Sequence, residues 1–275
     1  MGTRFGVVDV RTAVLAAALS VGLLSGWPYP QAYGYWYMPP RVDGNQVVVM
    51  SPGMELGQLK LHDNATLHMT GGTLLGGIYT HDYAKAIISG GEVCGSVGTS
   101  GNSEIQLTGG TFSGIYAEGD SEVEITGGTI NVGIYAHHRS HVTIAGGVFN
   151  FLYGGIEWSH TGGSSRIDFL DGSCMRDVVL DLGMELHMRG GSIAGGLYSE
   201  APVHFYGRNL VIDADSVSGH WASGESFDIR YGEGWGHGGG QIFLHEVPEP
   251  GTLALAALGG GVLLLCVRRR RTDVP

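Results

Sequence analysis

Glycine pairs recur along the middle of the chain at a nearly constant interval: Gly71-Gly72, Gly90-Gly91, Gly109-Gly110, Gly127-Gly128, Gly146-Gly147 and Gly190-Gly191, with Asp171-Gly172 filling the gap. The successive spacings are 19, 19, 18, 19, 25 and 19 residues. So regular a period marks small structural units that cannot bury an apolar face alone and must stack. Four residues before each pair stands an apolar side chain (Leu67, Ala86, Ile105, Val123, Val142, Ile167, Leu186), and two before it another, from Met69 to Met188. Alternation at period two is a strand with one face buried. A third column follows the glycines (Leu74, Val93, Phe112, Ile130, Phe149, Cys174, Ile193), and a fourth begins Ile78, Val97, Ile115, Ile134. A helical reading fails, because period 3.6 is absent and glycine interrupts every candidate helix at about 1 kcal/mol per residue.

The sequence therefore predicts an all-β solenoid of 18- to 19-residue coils. This pattern resembles the right-handed parallel β-helix of pectate lyases, polygalacturonases and many bacterial surface adhesins. A left-handed triangular helix of hexapeptide repeats is the alternative; no six-residue subperiod appears, and parallel crossovers favour the right hand. The domain plan is a signal peptide and start of a lead-in at 1–32, a lead-in and N-terminal cap at 33–61, solenoid repeats at 62–202, closing strands at 203–246 and a sorting signal at 247–271. Asp43 to Lys60, with Val47, Val48 and Val49, makes the first strands or a cap, and Gly232 to Gly240 a glycine-rich hairpin.

Both ends read as addresses. Arg4 and Arg11 precede the apolar stretch Ala13 to Leu24, with small residues at Ser25 and Gly26, the layout of a secretory signal peptide. At the other end, Val247-Pro248-Glu249-Pro250 leads into the apolar run Thr252 to Val267, followed by Arg268, Arg269, Arg270 and Arg271. As a helix that run spans about 24 Å, slightly short of a bilayer core. The four arginines form a stop that stays cytoplasmic, placing the preceding chain outside. Motif, short helix and basic tail in this order resemble the PEP-CTERM protein-sorting signal of Gram-negative bacteria. The resemblance implies that an exosortase-type membrane enzyme recognises Pro-Glu-Pro and removes the anchor, in a host that makes exopolysaccharide. The precursor is then held transiently in the inner membrane, and the mature protein sits at the cell surface or outside the cell.

Between residues 33 and 250 there are 24 Asp and Glu against 9 Lys and Arg, a net charge of −15. Nucleic acid and anionic lipid are poor partners for such a body. Cations, basic proteins and neutral glycans are compatible with it.

Outward columns suggest a working face. Thr73, Thr111, Thr129 and Ser192 form a hydroxyl ladder interrupted by Glu92 and Val148. Tyr79, Tyr116, Tyr135, Tyr153 and Tyr198 form an aromatic file suited to stacking on sugars, although rings spaced at about 4.8 Å also pack on one another. Glu104 and Gln106 should neighbour Glu122 and Glu124, with Lys85 and His141 on either side. Like charges that close repel unless a cation joins them, so Glu104, Glu122 and Glu124 are a candidate calcium face. Pectate lyase-like proteins hold calcium on such a face, with an arginine or lysine acting as base beside it; no arginine is expected at the equivalent column of the adjoining coils.

Asp168, Asp171, Asp177 and Asp181 form a second acidic stretch, assigned to the place where the repeat lengthens, without the alternation of an EF-hand loop. His137, His138 and His141 offer nitrogen ligands at a loop. Gly236-His237-Gly238 matches the three-residue histidine motif of polygalacturonases, but that family's paired aspartates and Arg-Ile-Lys motif are missing, and glycoside hydrolysis needs two positioned carboxyls. Cys94 points out and Cys174 in, about four coils apart and beyond disulfide reach, while Cys266 lies in the anchor. The expectation is a non-enzymatic surface or extracellular-matrix rod contacting exopolysaccharide; the alternative is a polysaccharide lyase or glycoside hydrolase on the same scaffold.

Overall fold

A computed structural model describes residues 40–154, 164–232 and 240–248. The signal sequence, Gly236-His237-Gly238, Glu249, Pro250, the apolar run and Arg268 to Arg271 lie outside the described residues, among which there is no helix.

The chain winds into stacked coils of three short strands. One coil comprises Thr66–Met69, Thr73–Leu74 and Ile78–Thr80; the next comprises Lys85–Ile88, Glu92–Val93 and Val97–Thr99. Each strand pairs in parallel with its counterpart one coil on, Leu67 facing Ala86, Leu74 facing Val93 and Ile78 facing Val97. All 24 described strands join one hydrogen-bonded network. The four apolar columns point inward along their described length. Leu67, Ile105, Leu107, Ile115, Val123 and Ile125 are completely buried, and the fourth column continues through Val178 where the repeat lengthens. Asp43 to Lys60 supplies strands in the same register, Val48 opposite Leu67 and Leu59 opposite Ile78.

The two glycines of a pair do different work. The second takes a positive φ in every coil, 97° at Gly91, 104° at Gly110 and 102° at Gly128, where a side chain is strained. The first lies against the coil below: a methyl on Gly109 would stand 2.6 Å from the Ser89 carbonyl oxygen. Gly172 turns the same corner at φ 115°, so Asp171-Gly172 does replace a pair.

A second corner also uses the left-handed region, through Asp63, Asp82, Gly101, Gly119 and His138 at φ 57° to 71°. Asp82 accepts the backbone N–H of Asp63, and Asp63 that of Gly44, so the short carboxylates tie neighbouring turns. Beside this corner an inward column of small residues runs Ala65, Ala84, Ser103, Ser121, Ser140 and Ser165, all buried.

The extra residues of the long interval lie elsewhere than the acidic stretch. Tyr153 pairs with Val179 and His141 with Arg166, so the insertion falls between Gly154 and Ser165, largely outside the described residues. Asp168 and Asp171 instead occupy the regular strand Ser165–Cys174.

Toward the C-terminal end an antiparallel excursion interrupts the winding, although Gly196 and Leu197 still pair in parallel with Arg230 and Tyr231 of the next turn. Val203–Ile212, Ser216–Trp221 and Ser226–Tyr231 form an antiparallel meander, and Ile242–Glu246 returns parallel to Val203–Gly207. Trp221, 1% exposed, stacks on Phe227 at 3.8 Å between ring centroids and donates its indole N–H to the Gly191 carbonyl. These contacts seat the meander on the last coil.

Candidate functional site

Strand alternation turns the tyrosine file outward, and each of its rings is half-buried. Tyr116 and Tyr135 face each other across adjacent coils and stack at 4.5 Å with 4° between planes; Tyr135 and Tyr153 follow at 6.1 Å and 42°. The file breaks on both sides of this trio. Gly98 stands between Tyr79 and Tyr116, and Val179 between Tyr153 and Tyr198. The sequence columns had shown five tyrosines; the structure brings three together.

The acidic residues share one register, Glu104 beside Glu122 and Gln106 beside Glu124. Glu104 is engaged, receiving Lys85 Nζ and Gln106 Nε2 at 2.8 Å each. Glu122 and Glu124 are exposed. Two coils beyond Glu122, in the same column, stands Arg166, but it is committed to Asp168 at 2.8 and 2.9 Å. His141 shares that carboxylate at 2.7 Å, and so separates from His137 and His138 at the corner. Burial opposes the charge of Asp168; hydrogen bonds from Arg166 and His141 overcome it and hold its pKa at about 2. Cys94 is exposed, and burial pushes the Cys174 thiol up to about 11.

Farther along the same face lies a cluster that the sequence reading did not assemble. Glu185 and His187 project from the strand Met184–Met188, and His204 stands opposite His187 in the next strand. Glu185 Oε1 is 2.9 Å from His187 Nε2 and 3.3 Å from His204 Nε2. The remaining ring nitrogens are held from outside: His187 Nδ1 lies 3.0 Å from the Tyr206 hydroxyl, and His204 Nδ1 lies 2.9 Å from His245 Nε2. Ring stacking fixes the planes, at 4.7 Å for His187 on His204 and 4.7 Å for His204 on Phe243. The Arg189 guanidinium closes one side over Tyr206, 4.1 Å from the ring centroid.

Burial and then the Arg166 charge push His187 below the ordinary imidazole value; burial and then His187 do the same to His204. Near neutral pH the contacts with Glu185 are therefore those of neutral rings with a carboxylate, not ion pairs. The signal was an outward Glu-x-His on one strand with a histidine on the next. It was masked because the period of 19 places Tyr206 opposite His187, whereas the coil shortens and His204, 17 residues on, takes that place.

Among known proteins, the PEP-CTERM protein-sorting motif matches residues 246–271. No curated protein and no solved structure matches the chain.

Proposed function

From a PEP-CTERM sorting motif that begins on the last residue of the last strand, we propose that this chain is an exported, exosortase-processed, non-enzymatic surface or matrix protein associated with exopolysaccharide. In this reading 1–32 directs export, 252–267 spans the inner membrane as a helix, Arg268 to Arg271 remain cytoplasmic, and Val247-Pro248-Glu249-Pro250 is the recognition motif. The body it delivers is a right-handed solenoid rod. The observation that carries the proposal is this junction between a closed β-structure and a sorting signal. The tyrosine file Tyr116-Tyr135-Tyr153, with Tyr79 and Tyr198 beyond its breaks, is the glycan-contact face; Tyr116 and Tyr135 cover each other's facing sides, so the ring edges and the sides not stacked meet the sugar.

Mixing the exported protein with the host's own exopolysaccharide, with and without Ca²⁺, tests this through co-sedimentation and assay of new reducing or unsaturated ends. Co-sedimentation without new ends, weakened severalfold in Tyr135→Ala, is the expected result. New ends overturn the non-enzymatic assignment, and failure to co-sediment overturns the exopolysaccharide partner.

A further inference from the structure

We propose that Glu185, His187 and His204 form a divalent transition-metal site, for which zinc is the best-fitting ion. Their three ligand atoms, one carboxylate oxygen and two imidazole nitrogens, lie within 4.8 Å of one another. Zinc takes nitrogen at about 2.0–2.1 Å and carboxylate oxygen at about 2.0–2.2 Å, so two ligands at the tetrahedral angle stand about 3.3 Å apart. The separations of 2.9 and 3.3 Å from Glu185 Oε1 to the two Nε2 atoms are close to two edges of that tetrahedron, and the two rings, stacked 8° from parallel at 4.7 Å, tilt toward each other when both Nε2 atoms reach one ion.

An independent observation points to a ligand. The His187 side chain is 7% exposed, and its Nε2 is buried with no hydrogen-bond partner among the described residues. Glu185 Oε1 stands 2.9 Å from it, close enough to attract a proton on that nitrogen without completing a well-formed hydrogen bond. A ring nitrogen buried without a partner costs free energy, and a metal ion in the triangle satisfies it together with Glu185 and His204.

The outer contacts suit the same purpose. Metal-binding histidines fix tautomer and ring orientation through the other nitrogen. Here Tyr206 and His245 occupy both Nδ1 positions, leaving both Nε2 atoms toward Glu185. Two His and one Glu is a zinc donor set that leaves a fourth position open, and the hard-oxygen cations Ca²⁺ and Mg²⁺ fit two imidazoles poorly. The nearby Arg166 charge is compensated by its bidentate pair with Asp168. Because Glu185 and His187 belong to the last regular strand of the face and His204 to the first closing strand, the ion also clamps the closing meander to the solenoid. This inference is independent of the sorting and polysaccharide readings.

The test is calorimetric titration of the full-length chain, purified in detergent and stripped with chelator, using Zn²⁺ and then Co²⁺ as a spectroscopic probe. Expected are one equivalent of Zn²⁺ that millimolar Ca²⁺ does not displace, and visible d–d bands on loading Co²⁺. Glu185→Gln and His204→Asn should each weaken binding more than tenfold, whereas Tyr206→Phe should weaken it by about tenfold with the stoichiometry kept. Glu185 is 43% exposed, so Glu185→Gln folds without the metal and its circular dichroism serves as the control. Absence of a saturable equivalent, or equal Zn²⁺ uptake by wild type and folded Glu185→Gln, overturns the site.

Discussion

At the scale of single residues, two buried polar groups lead to opposite predictions. Asp168 is nearly buried, yet its folded pKa of about 2 lies below the usual 3.8 because Arg166 and His141 bind the anion. A depressed carboxylate stabilises the fold above its unfolded pKa, and that contribution is lost as pH falls through the folded value. The loss therefore runs from about pH 4 to about pH 2, and at about 1.36 kcal/mol per unit amounts to on the order of 2 kcal/mol. Asp168→Asn should lower stability by that order at pH 7 in urea unfolding, and the gap from wild type should shrink near pH 2. An equal gap at both pH values would show that the carboxylate's charge is not the cause. Ser121 is the reverse case. Its hydroxyl is buried without a partner among the described residues, in a column where Ala65 and Ala84 already fit. Ser121→Ala should raise stability by about 1 kcal/mol, read in the same unfolding assay, because it removes an unsatisfied polar group without leaving a large void.

At the scale of elements, the legible parts of the fold were those encoded by one residue type. Glycine is the only residue that both allows the close approach at Gly109 and tolerates φ 104° at Gly110, so the first corner is written in pairs, and counting back from each pair locates two inward columns. The second corner needs only φ near 60°, which Asp63, Asp82 and His138 also adopt. Its column is chemically mixed and did not stand out. Within the closing segment the place of Ser216–Trp221 was not legible, because its packing depends on Phe205 and Phe227 from other strands, which no local alternation reveals. Trp221→Ala should cost about 3–5 kcal/mol locally, since it empties a buried aromatic site and removes the indole bond to Gly191. In a solenoid each coil leans only on its neighbours, so the damage should stay at one end. Hydrogen exchange should accelerate across Val203–Tyr231 and remain protected at Glu104–Leu107. Uniform acceleration along the chain would show that the coils unfold as one unit.

For the molecule as a whole, the candidate site was less legible than the scaffold because function here depends on register between coils, and register departs from the period where the solenoid ends. The sorting junction shows the same dependence on the end of the fold. Val247 donates the last ladder hydrogen bond, 2.7 Å to the Gly207 carbonyl. Alternation turns position 248 toward the open edge of this strand, where Pro248 has no N–H to offer another strand, while the partner strand bends away at Asn209, φ 51°. The matched sorting motif, residues 246–271, thus begins with no linker after the last described strand. Replacing Pro248, Glu249 and Pro250 with alanines restores an N–H at position 248 and removes the recognition motif together. The expected result is a precursor that keeps its C-terminal tail and stays in the membrane fraction, its body still folded because the last strand ends at Glu246. Mass measurement of the fractionated protein decides the matter. A released product of normal size from that variant would mean that this motif does not direct removal of the anchor.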